Sequence, residues 1–458
     1  MRPFAPLALG LCSVFGMAQP QAPPPPLASL IQQALDRNPE LARASALAEA
    51  DRERIPQAKA LPDPSLTLGL QNDGFKKLQV GQMETSYYQV MLTQPLPWPG
   101  KRNLRGEIAR LGADASRALI QRTRLSLTAE VKRAYHGLLL VRGQRALLDQ
   151  QALFWQQASA ITKARYEVGQ GSQADLLRSQ LEQNRLRQRR IALEAEETIL
   201  LAALNRLRGM PSETPIPTIV QTPDQPPSTS AAEWIARAEQ ESPELQSARL
   251  GSHQAERSLE LARRDRFPDF AVSAGVMPRG SLEPMWQVGV SIALPVWSSQ
   301  KQHRAVAEQE FRRRASGSEL ENLRNLLTQR IYERSAQLEA ALETVQLYRA
   351  GLLVQSEASF QASLAQYEAG RAPFLSVLEA LNGWLADQSG CLQALAQAQA
   401  SQIAQEEFNL AGTPPITSQG LTASAIGMGG NPSGAGGSPS SAKSGAAASA
   451  AAPAMNAM

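Results

Sequence analysis

The chain is expected to be mostly α-helical with a small β part: long helical hairpins duplicated in tandem, plus four β-strands. Three observations predict this class. Apolar residues recur at every seventh position through proline-free segments, the first running from Lys101 to Met210. Four short segments alternate apolar residues with small or polar ones. The plan of strand pair followed by long helix also occurs twice, at an offset of roughly 200 residues.

Composition agrees. The chain has 458 residues and a formal net charge of only +4, and no block of Lys or Arg stands out, so nucleic acid is not implied. Aromatics make up 5%, while Ala, Gln, Leu and Arg abound, which favours long helices. Arg2, the mostly apolar run Phe4 to Phe15, and Gly16-Met-Ala18 read as a secretory signal over 1–18. Cys12 follows Leu11 rather than a small residue, which disfavours lipidation. Cys391 is then the only mature cysteine, so no internal disulfide forms. No segment carries the ~18 consecutive apolar residues of a membrane-spanning helix; a chain of this kind spans a membrane only as a barrel.

A Pro-rich lead-in covers 19–29, and the first repeat covers 30–210. Helical period begins near Leu27, and Pro39 predicts a break. A β-hairpin is expected over 65–96. Leu66, Leu68 and Leu70 share one face, continued by Tyr88, Val90 and Leu92 after a long polar loop. The stretch Gln94-Pro-Leu-Pro-Trp-Pro-Gly-Lys-Arg102 then switches the period from strand to helix. Pro95 and Pro97 are expected to end strand pairing, Trp98 to flank the strand end, and Gly100 to allow the turn.

Long helices are expected at 101–168 and 173–207. Ile120, Leu127, Ala134, Val141, Leu148 and Trp155 mark the heptad, with Leu111, Ala118 and Leu125 on an offset stripe. The first helix would be about 100 Å long, which argues for a coiled-coil assembly. A Pro-, Thr- and Ser-rich linker spans 211–230.

The second repeat, 231–412, restates each mark. Asn38-Pro-Glu-Leu41 returns as Ser242-Pro-Glu-Leu245, and Tyr166-Glu-Val-Gly169 as Tyr367-Glu-Ala-Gly370. The hairpin 269–295 alternates more cleanly than the first, and the hinge returns as Leu294-Pro295-Val-Trp297. That copy lacks the Pro-Gly step, so the two junctions should bend differently. Long helices are expected at 300–369 and 374–410, with Ile331, Leu338, Val345 and Leu352 on one stripe and Ala340, Leu347 and Val354 on another. A Gly-, Ser- and Ala-rich tail, 413–458, is expected to lack fixed structure.

Four strands are too few to close a barrel, and an open sheet cannot sit in lipid. Three chains would supply twelve strands, enough to keep a lumen. Leu, Val and Ile would then face lipid, and Gln, Ser, Thr and Gly the lumen. Tyr87, Tyr88, Trp98, Trp286 and Trp297 lie near strand ends, where an aromatic girdle would fall. A soluble sandwich edge is the competing reading.

The doubled plan, the Leu-Pro-Trp-Pro-Gly-Lys-Arg102 hinge with its partner at Leu294-Pro-Val-Trp297, and the two Tyr-Glu-x-Gly turns resemble the TolC family of outer-membrane efflux channels over about residues 27–415. The hinge most resembles the heavy-metal branch (CusC- and CzcC-like). The resemblance implies a homotrimer, a shared 12-stranded β-barrel in outer-membrane lipid, and a periplasmic α-barrel. It further implies partners: a periplasmic adaptor, and an inner-membrane RND-type pump or ABC exporter. Tyr166, Gly169 and Gly171, with Tyr367, Gly370 and Arg371, match the periplasmic tips where the adaptor docks. Ser376 and Glu379 match the two acidic residues that ring the pore constriction, and Ser376 departs from the acidic pattern. Three Glu379 carboxylates near one axis would attract cations; a solvated surface glutamate is the alternative. Asp175, at the comparable place in the first half, reads as an ordinary helix-start acid.

No catalytic residue, cofactor site or metal site is indicated, and the chain does not read as an enzyme. His136, His253 and His303 lie far apart. Met91, Met277 and Met285 lie on or beside strands, where lumen lining is favoured over a soft-metal site. Lys101, Arg102 and Arg105, with Lys301 and Arg304, would either face lipid phosphate or snorkel. The leading function is a passive conduit exporting metal cations or small toxic compounds. The alternatives are a conduit for type I protein secretion and a soluble periplasmic coiled-coil scaffold.

Overall fold

The computed structural model describes residues 26–169, 171–216, 226, 230–413 and 416. The expected signal peptide with Cys12, most of the lead-in and linker, and nearly all of the tail lie outside the described residues. Two short helices open the first repeat, α1 (Pro26–Arg37) and α2 (Pro39–Lys59). The break falls at Asn38, whose side chain accepts the Glu40 amide at 2.8 Å, with Pro39 in the first turn. Strands β1 (Ser65–Gln71) and β2 (Tyr87–Leu96) lead into α3 (Lys101–Glu167) and the returning α4 (Gln173–Leu207). The second repeat follows the same order: α5 (Ala231–Glu241), α6 (Pro243–Arg264), β3 (Phe270–Arg279), β4 (Leu282–Ile292), α7 (Gln302–Leu347), α8 (Leu353–Glu368) and α9 (Phe374–Glu407). Ser242 caps α6 as Asn38 caps α2.

The four strands form one antiparallel sheet in the order β1-β2-β3-β4. Register decides what each face carries. Leu68 pairs with Val90, Val90 with Val276, and Val272 with Val290. Because side chains alternate along a strand, every such row stays on one face. That face is bare: Leu68 is 71% exposed and Val290 67%. The other face carries Thr67, Gln89, Thr93, Ser273, Gly275, Gln287, Gly289 and Ser291.

Pro95 corrects an expectation. Pairing with β1 stops at Thr93, but pairing with β3 runs on through Pro95 to Leu96. Its missing amide therefore falls where β2 has only one neighbour. The second hairpin is tighter than expected, with Gly280-Ser281 between the strands.

The helices pack side by side: α4 on α3, α3 on α9, and α9 on α7 and α8. The largest core runs along this seam. It joins Val141, Leu148 and Trp155 of α3 to Leu186 and Leu193 of α4, Phe360 and Tyr367 of α8, and Phe374, Val377, Leu378 and Leu381 of α9. Each such side chain contributes about 1.5–3 kcal/mol by leaving water. The stripe read from the sequence thus faces inward. The stripe through Leu347 and Val354 is exposed.

One expected element differs. The helix over 300–369 is interrupted by a π turn at Tyr348–Leu352, where the Leu353 amide reaches the Tyr348 carbonyl. The wider turn takes in one extra residue. Before it, the buried positions are Ile331, Leu338 and Val345; after it they are Phe360 and Tyr367, with Leu353 partly buried. Leu352, assigned to the stripe by strict heptads, is passed over.

Candidate functional site

The first hinge is built around a buried lysine. Lys101 is 2% exposed, and its Nζ donates to Asp269 Oδ1 at 2.9 Å and to the Phe267 carbonyl at 3.0 Å, with Asp265 Oδ1 at 3.3 Å. Lys101 therefore neither faces lipid phosphate nor snorkels. Asp269 Oδ1 also accepts the Trp98 amide at 2.7 Å. The Trp98 ring stacks on Phe267 with centroids 5.2 Å apart, so this indole packs at the junction and is not free for an interfacial girdle. Arg264 donates to the Pro99 carbonyl at 3.1 Å, and Arg102 Nε to the Lys59 carbonyl at 2.8 Å. Gly100, at φ 90°, caps α3. The hinge of the first repeat is thus held by the segment that enters the hairpin of the second.

Among the described residues, the second junction has no such clasp. Between Ile292 and Gln302 the chain passes through turns, and Pro295 and the exposed Trp297 lie on that path. The two junctions differ in build, as the missing Pro-Gly step suggests. Trp286 is exposed on the apolar face opposite Val276, and Tyr88 lies on the same face. Tyr87 lies on the other face, its hydroxyl donating to Gln71 at 2.8 Å.

At the far end of the helices, the two Tyr-Glu-x-Gly turns stand side by side. Gly169 and Gly370 take φ of 74° and 73°, conformations that side chains resist. The Gly169 amide reaches the Tyr166 carbonyl at 3.1 Å, and the Gly370 amide the Tyr367 carbonyl at 2.9 Å. The Arg371 amide donates to the Gln366 carbonyl at 2.8 Å. A methyl group on Gly171 would lie 2.8 Å from the Tyr166 amide nitrogen, so that turn closes tightly.

The two tyrosines then part. Tyr166 is 44% exposed and Tyr367 only 6%. Tyr367 packs against Phe374, and Arg165 sits over its ring, 4.4 Å from the centroid, while donating to its carbonyl at 3.1 Å. Arg165, to which no local sequence signal points, joins the two turns. A cleft of about 360 Å³ lies there, lined by Arg165, Asp175, Arg178, Tyr367, Pro373 and Phe374.

On α9, Phe374, Val377, Leu378 and Leu381 face the core. Glu379 is exposed on the outer side, with no ion pair among the described residues, and Ser376 is half-buried. The chain by itself does not bring Glu379 to another carboxylate.

Higher up, Glu407 at the end of α9 is buried among Arg122, at 3.1 Å, and Arg133, at 2.8 Å. Arg334 donates to the carbonyls of Ala404, Asn409 and Ala411; burial lowers its pKa to about 10 against the pull of Glu407. Burial pushes Glu197 up, but hydrogen bonds from Arg142 and Arg145 outweigh it and hold the carboxyl below its usual range. These charges tie helices together.

The three histidines stay apart, and no group of three His, Cys, Asp or Glu side chains among the described residues is placed to hold a metal. Met277 and Met285 are register partners, with Met91 one strand away opposite Gly275, all on the small and polar face. No described helix is long and apolar enough to cross a membrane.

The chain thus joins a bare apolar sheet face, through a clasped first hinge, to a long helical wall. The chain belongs to the outer membrane efflux protein family, whose model matches residues 30–210 and 234–406. It is an outer-membrane protein and a passive channel component, not an enzyme, which sets aside the soluble scaffold. It is similar to the cobalt-zinc-cadmium resistance protein CzcC of Cupriavidus metallidurans, 24% identical over 365 residues, covering 78% of this chain and 84% of that one. It is also 26% identical over 236 residues to the alkaline protease secretion protein AprF of Pseudomonas aeruginosa, covering 48% of this chain and 49% of that one. Among solved structures, the outer membrane protein VceC of Vibrio cholerae matches with a TM-score of 0.70 at 15% identity, covering 85% of this chain and 97% of that one.

Proposed function

We propose that three copies of this chain close a twelve-stranded barrel and a continuous helical tunnel, forming the outer-membrane channel of a tripartite efflux system. One observation carries the reading: a four-stranded sheet with a bare apolar face and two unpaired edges, β1 and β4. Such a sheet is stable in lipid only when its edges are paired. The flanks of the helical layer support the same closure. On one flank α4 bares Leu177, Leu181, Ile191 and Ile199, and on the other α7 and α8 bare Tyr332, Leu347 and Val354.

In this reading the turns at Tyr166, Gly169 and Gly171 and at Tyr367, Gly370 and Arg371 form the periplasmic tip, where an adaptor docks and links the channel to an inner-membrane pump. Ser376 and Glu379 line the constriction, with Glu379 contributing three carboxylates around the axis. The cargo is metal cations or small toxic compounds, a reading supported by the likeness to CzcC.

Chemical crosslinking of the native protein in outer membranes tests closure. Bands up to three chains are expected, and a stable monomer refutes it. In planar bilayers, Glu379→Ala should weaken block by divalent cations; unchanged block removes the glutamate from the constriction. The likeness to AprF favours a second reading, a conduit for type I protein secretion. Deleting the chain separates the two, since metal sensitivity with normal secretion supports the first and a lost exoprotein the second.

A further inference from the structure

Above the tip, a cavity of about 510 Å³ opens between α3, α9 and the π turn. Its volume lies within the ~300–1,000 Å³ of small-molecule sites. Leucines 139, 140, 147, 353, 392 and 395 are six of its fifteen lining residues. The π turn shapes one side, since Arg349 belongs to it and Leu353 follows it. Tyr348 of the same turn fits against Gly390, where an added methyl group would lie 2.3 Å from its hydroxyl. Turns of this kind are uncommon and frequently accompany functional sites.

Two polar groups in this wall are unsatisfied. His136 Nδ1 and Gln388 Oε1 are buried without a hydrogen-bond partner among the described residues. Leaving a buried polar group so is costly, and a suitable guest would relieve that cost. The lining holds Arg349 but no carboxylate. Burial first, and then the charge of Lys132, lower the His136 pKa to about 4 against the opposing pull of Glu406, so the imidazole is neutral at ordinary pH. A cation entering here meets no carboxylate in the lining. A hydroxyl both donates and accepts, so it can serve the amide oxygen and either tautomer of the ring.

We propose that this cavity is a binding site for small apolar molecules of the phenol class that carry a protonated hydroxyl, held by Gln388 and His136 between α3 and α9. The site lies within one chain, so it stands apart from the barrel closure argued above.

The test uses the full-length protein in lipid nanodiscs, with empty nanodiscs as the blank, and 2-naphthol as a fluorescent probe. One saturable site per chain is expected, with naphthalene binding more weakly. Ala146→Trp, at the exposed rim, should abolish saturable binding by filling the mouth. Gln388→Leu should weaken naphthol by about 3–10-fold and erase its advantage over naphthalene. A naphthylmethylammonium ion should fail to compete. The proposal is overturned if the assembled protein has no saturable site, as when a neighbouring copy covers it. It is equally overturned if both variants bind as the parent does, or if the cation competes as well as naphthol.

Discussion

Lys101 ends among three oxygen acceptors contributed by Asp265, Phe267 and Asp269. A buried ammonium without acceptors is costly, whereas an apolar side chain of similar size in its place is tolerated. Asp269→Ala should therefore cost about 1–3 kcal/mol in thermal unfolding, because it strips both the ammonium and the Trp98 amide. Lys101→Met should cost less, since the half-exposed Asp269 can be hydrated. Equal losses would contradict this account of the hinge. His136 makes a second prediction. Unfolded, it takes a proton near 6.5; folded, near 4. Between those values the unfolded chain binds more protons, so stability rises with pH and is lost on acidification, by up to about 3 kcal/mol. Melting curves from pH 7 to 4 should flatten in His136→Gln, and an unchanged slope refutes the assignment. Neither role was legible in the sequence. Lys101 and Asp269 are 168 positions apart, and nothing local to either announces the other.

At the level of elements, periodicity was informative. Alternation located all four strands, because a sheet with one apolar face must repeat every second residue. The heptad stripe located the α3 core from Leu127 to Trp155 for the same kind of reason. Two things escaped. Pro95 suggested an end to pairing, yet β2 still runs beside β3 there. And Arg165, which bridges the tip turns, sits among ordinary helix-surface residues in the sequence. The turns themselves can be tested. Gly370→Val forces a branched side chain to positive φ, at a cost of about 1–2 kcal/mol. Hydrogen exchange should quicken around 366–373 while the α3 core stays protected. Unchanged exchange would mean that the turn relaxes without strain.

On the scale of the whole molecule, the two sheet faces must meet different solvents. Val290→Arg on the bare face should lower the yield of folded, heat-modifiable protein in outer membranes, at about 2–4 kcal/mol if the site lies near mid-bilayer. Ser291→Arg, one residue on and pointing the other way, should insert normally and alter conductance instead. Equal defects would overturn the orientation. The π turn works at this scale too. It takes up one residue more than an α-helical turn would, between the strict heptad Ile331, Leu338, Val345 and the tip. Had the surplus not been absorbed, the heptad would have carried Gln366 inward and left Tyr367 outside, as Tyr166 is. One extra residue held in the π turn thus separates two otherwise matching turns, and deleting one residue from 348–352 should restore their likeness by turning Tyr367 out from under Arg165.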